Sequence, residues 1–196
     1  MATNLVSSRA QVVGRRSDTA TRNTELISGQ SIRVVGKDTS VITANVSSDA
    51  SSVGGSLAVG GVIARNEIVS ATTLDFDHAR LEADGDISVI VMSGADIESN
   101  VSGIVEASGE PESSAAPLAI NGVIATNAVQ NNADITFNQS LADAGKSVTM
   151  RASSPSRVSA NNTAIVTSDG PVAGVTLAFN TIGMAPSNIF ATSINT

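Results

Sequence analysis

Apolar and polar positions alternate along this chain in short stretches, and nowhere hold the three- and four-residue spacing of a helix face. The clearest run is Ile87-Ser88-Val89-Ile90-Val91. Others are Ala10-Gln11-Val12-Val13, Ile32 to Val34, Val41, Leu57 to Ile63, Ile97, Ile104-Val105, Val148 to Met150, Val158, Ala164 to Val166 and Val175 to Phe179. Gly36-Lys37-Asp38 and the Ser/Gly-rich stretch Ser47 to Gly55 divide them. The pattern predicts strands of about four to six residues joined by turns, with little or no helix.

The runs recur. Gly61-Val62-Ile63-Ala64-Arg65-Asn66 returns as Gly122-Val123-Ile124-Ala125-Thr126-Asn127. A looser copy is Val175 to Asn180, and a truncated one is Ala2-Thr3-Asn4. Asn4, Asn66, Asn127 and Asn180 thus follow one another after 62, 61 and 53 residues. An aliphatic stands two residues after each (Val6, Ile68, Val129, Ile182), and Phe76, Phe137 and Phe190 stand ten after the last three. Glycines at 29, 85 and 145 precede equivalent alternating strands. Self-similarity at a fixed period marks a stacked architecture.

The reading is therefore one all-β domain over residues 1–196, a right-handed parallel β-helix of about three repeat units, with a β-sandwich as the alternative. The units are a partial one at 1–23, then 24–80, 81–140 and 141–196. With rungs of about 20 residues there would be about ten, making a body roughly 45–50 Å long. Beginning inside a repeat, the chain is expected either to belong to a longer array or to have its end covered by another copy.

Composition agrees. Hydrophobic residues make up 41% but aromatics only 2%, so the interior must be narrow and filled by short side chains. Val, Ile and Thr favour extended backbone. There is no cysteine, so disulfides and thiolate metal sites are excluded. No apolar run reaches the roughly 18 residues of a membrane helix, and Met1 to Arg16 lacks a signal-peptide core. Asp18 after Arg15-Arg16-Ser17 speaks against twin-arginine export. The net charge of −7 is uneven: residues 1–37 sum to +4 and residues 38–112 to −11. An acidic centre argues against nucleic acid, and a basic end beside it suits contact between copies.

Gly54 to Asn66, Ala83 to Val89 and Leu177 to Gly183 resemble the repeats of giant bacterial filamentous adhesins and leukotoxin-like surface proteins. The resemblance covers most of the chain. It implies a long β-helix at the cell surface or outside the cell that serves attachment or structure, with no catalytic residues.

Candidate chemistry is sparse. His78, the only histidine, has no second histidine or nucleophile motif beside it and reads as an exposed, inert residue. Asp75 with Asp77, and Asp84 with Asp86, offer oxygens to Ca²⁺, but the calcium-loop spacings are missing and turn aspartates are the simpler reading. No other cofactor is indicated. A polysaccharide-cleaving enzyme would use aligned carboxylates and aromatic sugar platforms, which this chain hardly offers; loss of turnover with Asp84 or Asp86 would mark one. The Thr-x-Thr ladders of an ice-binding face do not keep the repeat phase. The recurrent asparagines suit a stack of hydrogen bonds along the axis or a left-handed corner. The function expected is a self-associating structural unit of a fibre, surface layer or adhesin, with copies of itself or adjacent repeats as partners. The alternative is an adhesive module that grips a host or matrix ligand through the loop Glu106 to Pro117.

Overall fold

The structure is a computed structural model that describes residues 1–15, 24–54, 57–109 and 116–183. Eleven strands account for almost all of them, and no helix occurs among the described residues. The strands are β1 (Ala2–Arg15), β2 (Thr24–Ser28), β3 (Ile32–Val53), β4 (Leu57–Asp77), β5 (Ala79–Ala83), β6 (Ile87–Ser108), β7 (Leu118–Asn138), β8 (Leu141–Ala144), β9 (Val148–Ser153), β10 (Ser156–Ser168) and β11 (Val172–Ile182).

They form three sheets. One runs β1-β4-β7-β11, a short one β2-β5-β8, and the third β3-β6-β10 with β9 also on β6. The chain visits the first, the short and the third sheet in that order, then returns to the first, so each circuit lays one layer on the last. All pairings are parallel, which overturns the antiparallel sandwich offered as the alternative.

Register follows the sequence repeat. Asn4 lies on Asn66, Asn66 on Asn127, and Asn127 on Asn180. The 62- and 53-residue spacings differ from 61 because of connections, not strands. In the first layer residues 16–23 stand where the second has His78 alone, seven more, and residues 54–56 stand where the second has 109–117, six fewer, for a net of one; in the third layer residues 169–171 stand where the second has 108–118, eight fewer.

The size of the layer differs from the sequence expectation. Rungs of about 20 residues would pair positions about 20 apart, but every pairing joins positions 53 to 62 apart. The stack is thus four strands deep at most. At about 4.8 Å per layer its depth is about 14 Å, not 45–50 Å. The long dimension lies across the layers instead, where strands of 21 and 22 residues reach about 70 Å. These strands run straight through segments read as separators: β3 includes Gly36-Lys37-Asp38 and continues to Val53.

Burial explains why. Along β6 the inward positions are Ile87, Val89, Val91, Ser93, Ala95, Ile97, Ser99, Val101, Gly103, Val105 and Ala107. Small and polar residues look like breaks in a linear reading, but each occupies a slot of the same pleat. The first and third sheets face each other, the short sheet joins them at one end, and the inward residues form four apolar clusters, including Leu74, Phe76, Leu81 and Val89 at that end and Ala58, Val105 and Ala119 at the other. The small side chains permit close approach of the two sheets. A Cβ on Gly60 would lie 2.4 Å from Val105 Cγ2, and one on Gly36 would lie 2.5 Å from Leu74 Cδ1.

Candidate functional site

The best-defined polar arrangement is the asparagine column. Asn4 Nδ2 donates to Asn66 Oδ1 at 2.8 Å, Asn66 Nδ2 to Asn127 Oδ1 at 2.8 Å, and Asn127 Nδ2 to Asn180 Oδ1 at 2.9 Å. Asn66 and Asn127 are 0% exposed. A primary amide carries both donors and an acceptor, so identical amides stacked in register pair with one another, each interior one donating one hydrogen bond and accepting one. The column has a direction. Each nitrogen points towards the later layer, leaving Asn4 Oδ1 at one end and Asn180 Nδ2 at the other without a partner among the described residues.

The left-handed corner, the other role considered for these asparagines, falls elsewhere. His78 (φ 53°) and Gln139 (φ 46°) occupy equivalent corners one layer apart. The His78 amide donates to the Asn138 carbonyl at 3.0 Å, its carbonyl accepts from the Thr24 amide, and its Nδ1 lies 3.1 Å from Asp77 Oδ1. It is half-buried, not exposed, and its geometry is that of a turn residue.

The aspartates do not converge. Asp75 takes the Arg15 guanidinium, Asp77 accepts from Asn138 Nδ2 at 2.7 Å, and Asp86 accepts from Ser147 Oγ at 2.6 Å. Asp84 belongs to a corner where a Cβ on Gly145 would lie 2.3 Å from the Asp84 carbonyl oxygen, so the glycine spacing reflects close stacking of turn backbones. Among the described residues no group of three or more His, Cys, Asp or Glu side chains is arranged to hold a metal.

Phe76 and Phe137 stack in adjacent layers, ring centroids 4.6 Å apart and tilted by 34°. Phe190 lies outside the described residues. In the first layer the same column position is Gly14, whose Cβ would lie 2.9 Å from the Phe76 ring. The shortfall leaves a cavity of about 280 Å³ lined by Val12, Gly14, Leu26, Val34, Phe76 and Leu81, among others.

The stack is well covered only in its middle. Ile87 and Val89 of β6 are 0% exposed, whereas their register partners Val148 and Met150 in β9 are 44% and 46% exposed. Val12 and Leu26 in the first layer, whose partners Leu74 and Leu81 are buried, and Val172 and Ile182 in the last, whose partners Ala119 and Val129 are buried, are similarly exposed. Sequence reasoning missed these end faces because residues of one type are repeated in every layer; only the layer's place in the stack decides exposure. Of the proposed adhesive loop, Glu106 to Ser108 belong to β6, and residues 110–115 lie outside the described residues. Comparison with family models, curated proteins and solved structures finds no match to this chain.

Proposed function

We propose that this chain is a structural building unit: a parallel β-solenoid that associates with copies of itself in an extracellular or cell-surface fibre or layer. The observation that carries the reading is the asparagine column, a run of identical amides through four layers in register. Such a column contributes only when layers stack in that register, and it specifies the stack more sharply than aliphatic contacts do. Two further observations support association. Among the described residues no further strand pairs with the edge at either end of the stack, and such an edge templates another strand. Both ends also expose apolar side chains whose counterparts in the middle layer are fully buried.

The resemblance of Gly54 to Asn66 and Leu177 to Gly183 to surface-adhesin repeats is what supports the extracellular part of this reading. Its role there is mechanical, with no reaction assigned to His78 or the aspartates. The test is sedimentation velocity together with negative-stain electron microscopy of the purified chain over a concentration series. Rods or fibres that lengthen with concentration support it. A monodisperse monomer at the highest soluble concentration sinks it.

A further inference from the structure

The geometry points to a specific joint: the first layer of one copy docks on the third layer of another, head to tail, at the register the chain already uses internally. This rests on the self-association proposed above and names its partner surfaces.

The register is read by following partners through the middle layer. Ile32 lies on Ile87 and Ile87 on Val148; Val34 on Val89 and Val89 on Met150; Ile42 on Ile97 and Ile97 on Val158; Asn45 on Asn100 and Asn100 on Asn161. Removing the middle layer and bringing β3 of a second copy onto β9 and β10 repeats the same columns. Ile32 and Val34 of the incoming copy then cover Val148 and Met150, the half-exposed ends of their own columns.

Charge permits the joint. Glu25, Arg33, Lys37 and Asp49 would face Leu141, Thr149, Ser153 and Ile165. None meets a like charge, the arrangement that penalises in-register stacking most. The acids instead crowd the middle layer, which this joint keeps off the interface: residues 57–109 hold nine acids and two arginines. A heterologous contact of this kind does not close on itself unless the rotation happens to, so it propagates into a filament.

One segment cannot take its seat. Ala2 to Val6 and Ala178 to Ile182 occupy equivalent positions, and the latter already cover Ala125 to Val129 of the receiving copy. The joint therefore displaces residues 2–6 of the incoming copy.

Cysteine cross-linking tests this, since the chain has no cysteine of its own. Asn45 and Asn161 are exposed, and within one copy they lie two layers, about 9.6 Å, apart, beyond the roughly 7 Å a disulfide tolerates. Across the joint they are adjacent. Oxidising a mixture of the N45C and N161C variants should give a disulfide-linked dimer, while either variant alone should stay monomeric on a non-reducing gel. Deleting residues 1–6 should leave the mixed dimer undiminished. Homodimers of N45C or N161C matching the mixed yield would mean head-to-head packing and overturn the joint, as would a mixture that stays monomeric. If the unmodified chain still forms rods in that last case, the joint is wrong and self-association survives. If it does not, both fall.

Discussion

Removing one amide from the middle of the asparagine column gives the sharpest energetic test. Asn127→Ala deletes two hydrogen bonds, the one it accepts from Asn66 and the one it donates to Asn180. Asn66 is fully buried, so its Nδ2 is left without water or protein to replace the lost partner. A buried orphaned donor costs about 1–3 kcal/mol, and the second lost bond adds about 1, for a total of about 2–4 kcal/mol. Asn4→Ala is the internal control: Asn4 is exposed, water can replace its side chain, and the cost should stay below about 1 kcal/mol.

Asn127→Asp adds a pH signature. A carboxylate still accepts from Asn66 Nδ2, but it turns an acceptor towards Asn180 Oδ1 where a donor is needed. Burial and that acceptor clash raise the folded-state pKa of the new carboxyl above its unfolded value of about 3.9. The protonated form donates to Asn180 and is the one the fold prefers. Relative to the unmodified chain, the variant should therefore be least destabilised below about pH 4 and lose about 1.4 kcal/mol per pH unit as pH rises towards the folded-state value. Urea unfolding of all four proteins between pH 3.5 and pH 7, each variant referenced to the unmodified chain at the same pH, measures both effects. An Asn127→Ala cost no larger than that of Asn4→Ala, or an Asn127→Asp penalty independent of pH, would refute the column.

Other substitutions probe the rest of the stack. Ser99 is fully buried, its Oγ finds no partner among the described residues, and its column neighbours are Ala44 and Ala160. Ser99→Ala should thus stabilise by about 1 kcal/mol in chemical denaturation. Gly145→Ala places a methyl against the Asp84 carbonyl, and should cost about 1–3 kcal/mol and lower Tm. Met150→Lys alters a half-exposed site on the third layer; unfolding of the isolated chain should change by less than about 0.5 kcal/mol, while sedimentation should lose its concentration dependence.

The sequence carried the fold's repeat more clearly than its scale. Asn66, Asn127 and Asn180, with Ile68, Val129 and Ile182 two residues on, mark the register at which the strands lie, because in-register stacking requires like residues at like positions. Strand length was hidden, because Ser93, Ser99 and Gly103 hold inward slots while resembling turn residues in a linear reading. The Ser93 hydroxyl is met from the facing sheet by Ser70 at 3.1 Å, a contact between residues 23 apart that no local pattern reveals. Rung size followed the same error: short apparent strands suggested several rungs per unit, where each unit makes one wide circuit. His78 shows the limit for single residues. Its left-handed backbone is an uncommon one for any residue but glycine; histidine is among the side chains enriched there, whereas Gln139, its equivalent at the 61-residue period, is not, so the pair of positions does not share a recognisable turn residue.

The central claim, that residues about 61 apart lie directly on one another through stacked amides, is tested most directly by nuclear Overhauser contacts in the ¹⁵N-labelled chain. The Asn66 side-chain amide protons should show cross-peaks to the Asn127 side-chain amide and exchange slowly with solvent. Cross-peaks instead between positions about 20 apart, or side-chain amides that exchange as fast as free asparagine, would contradict it.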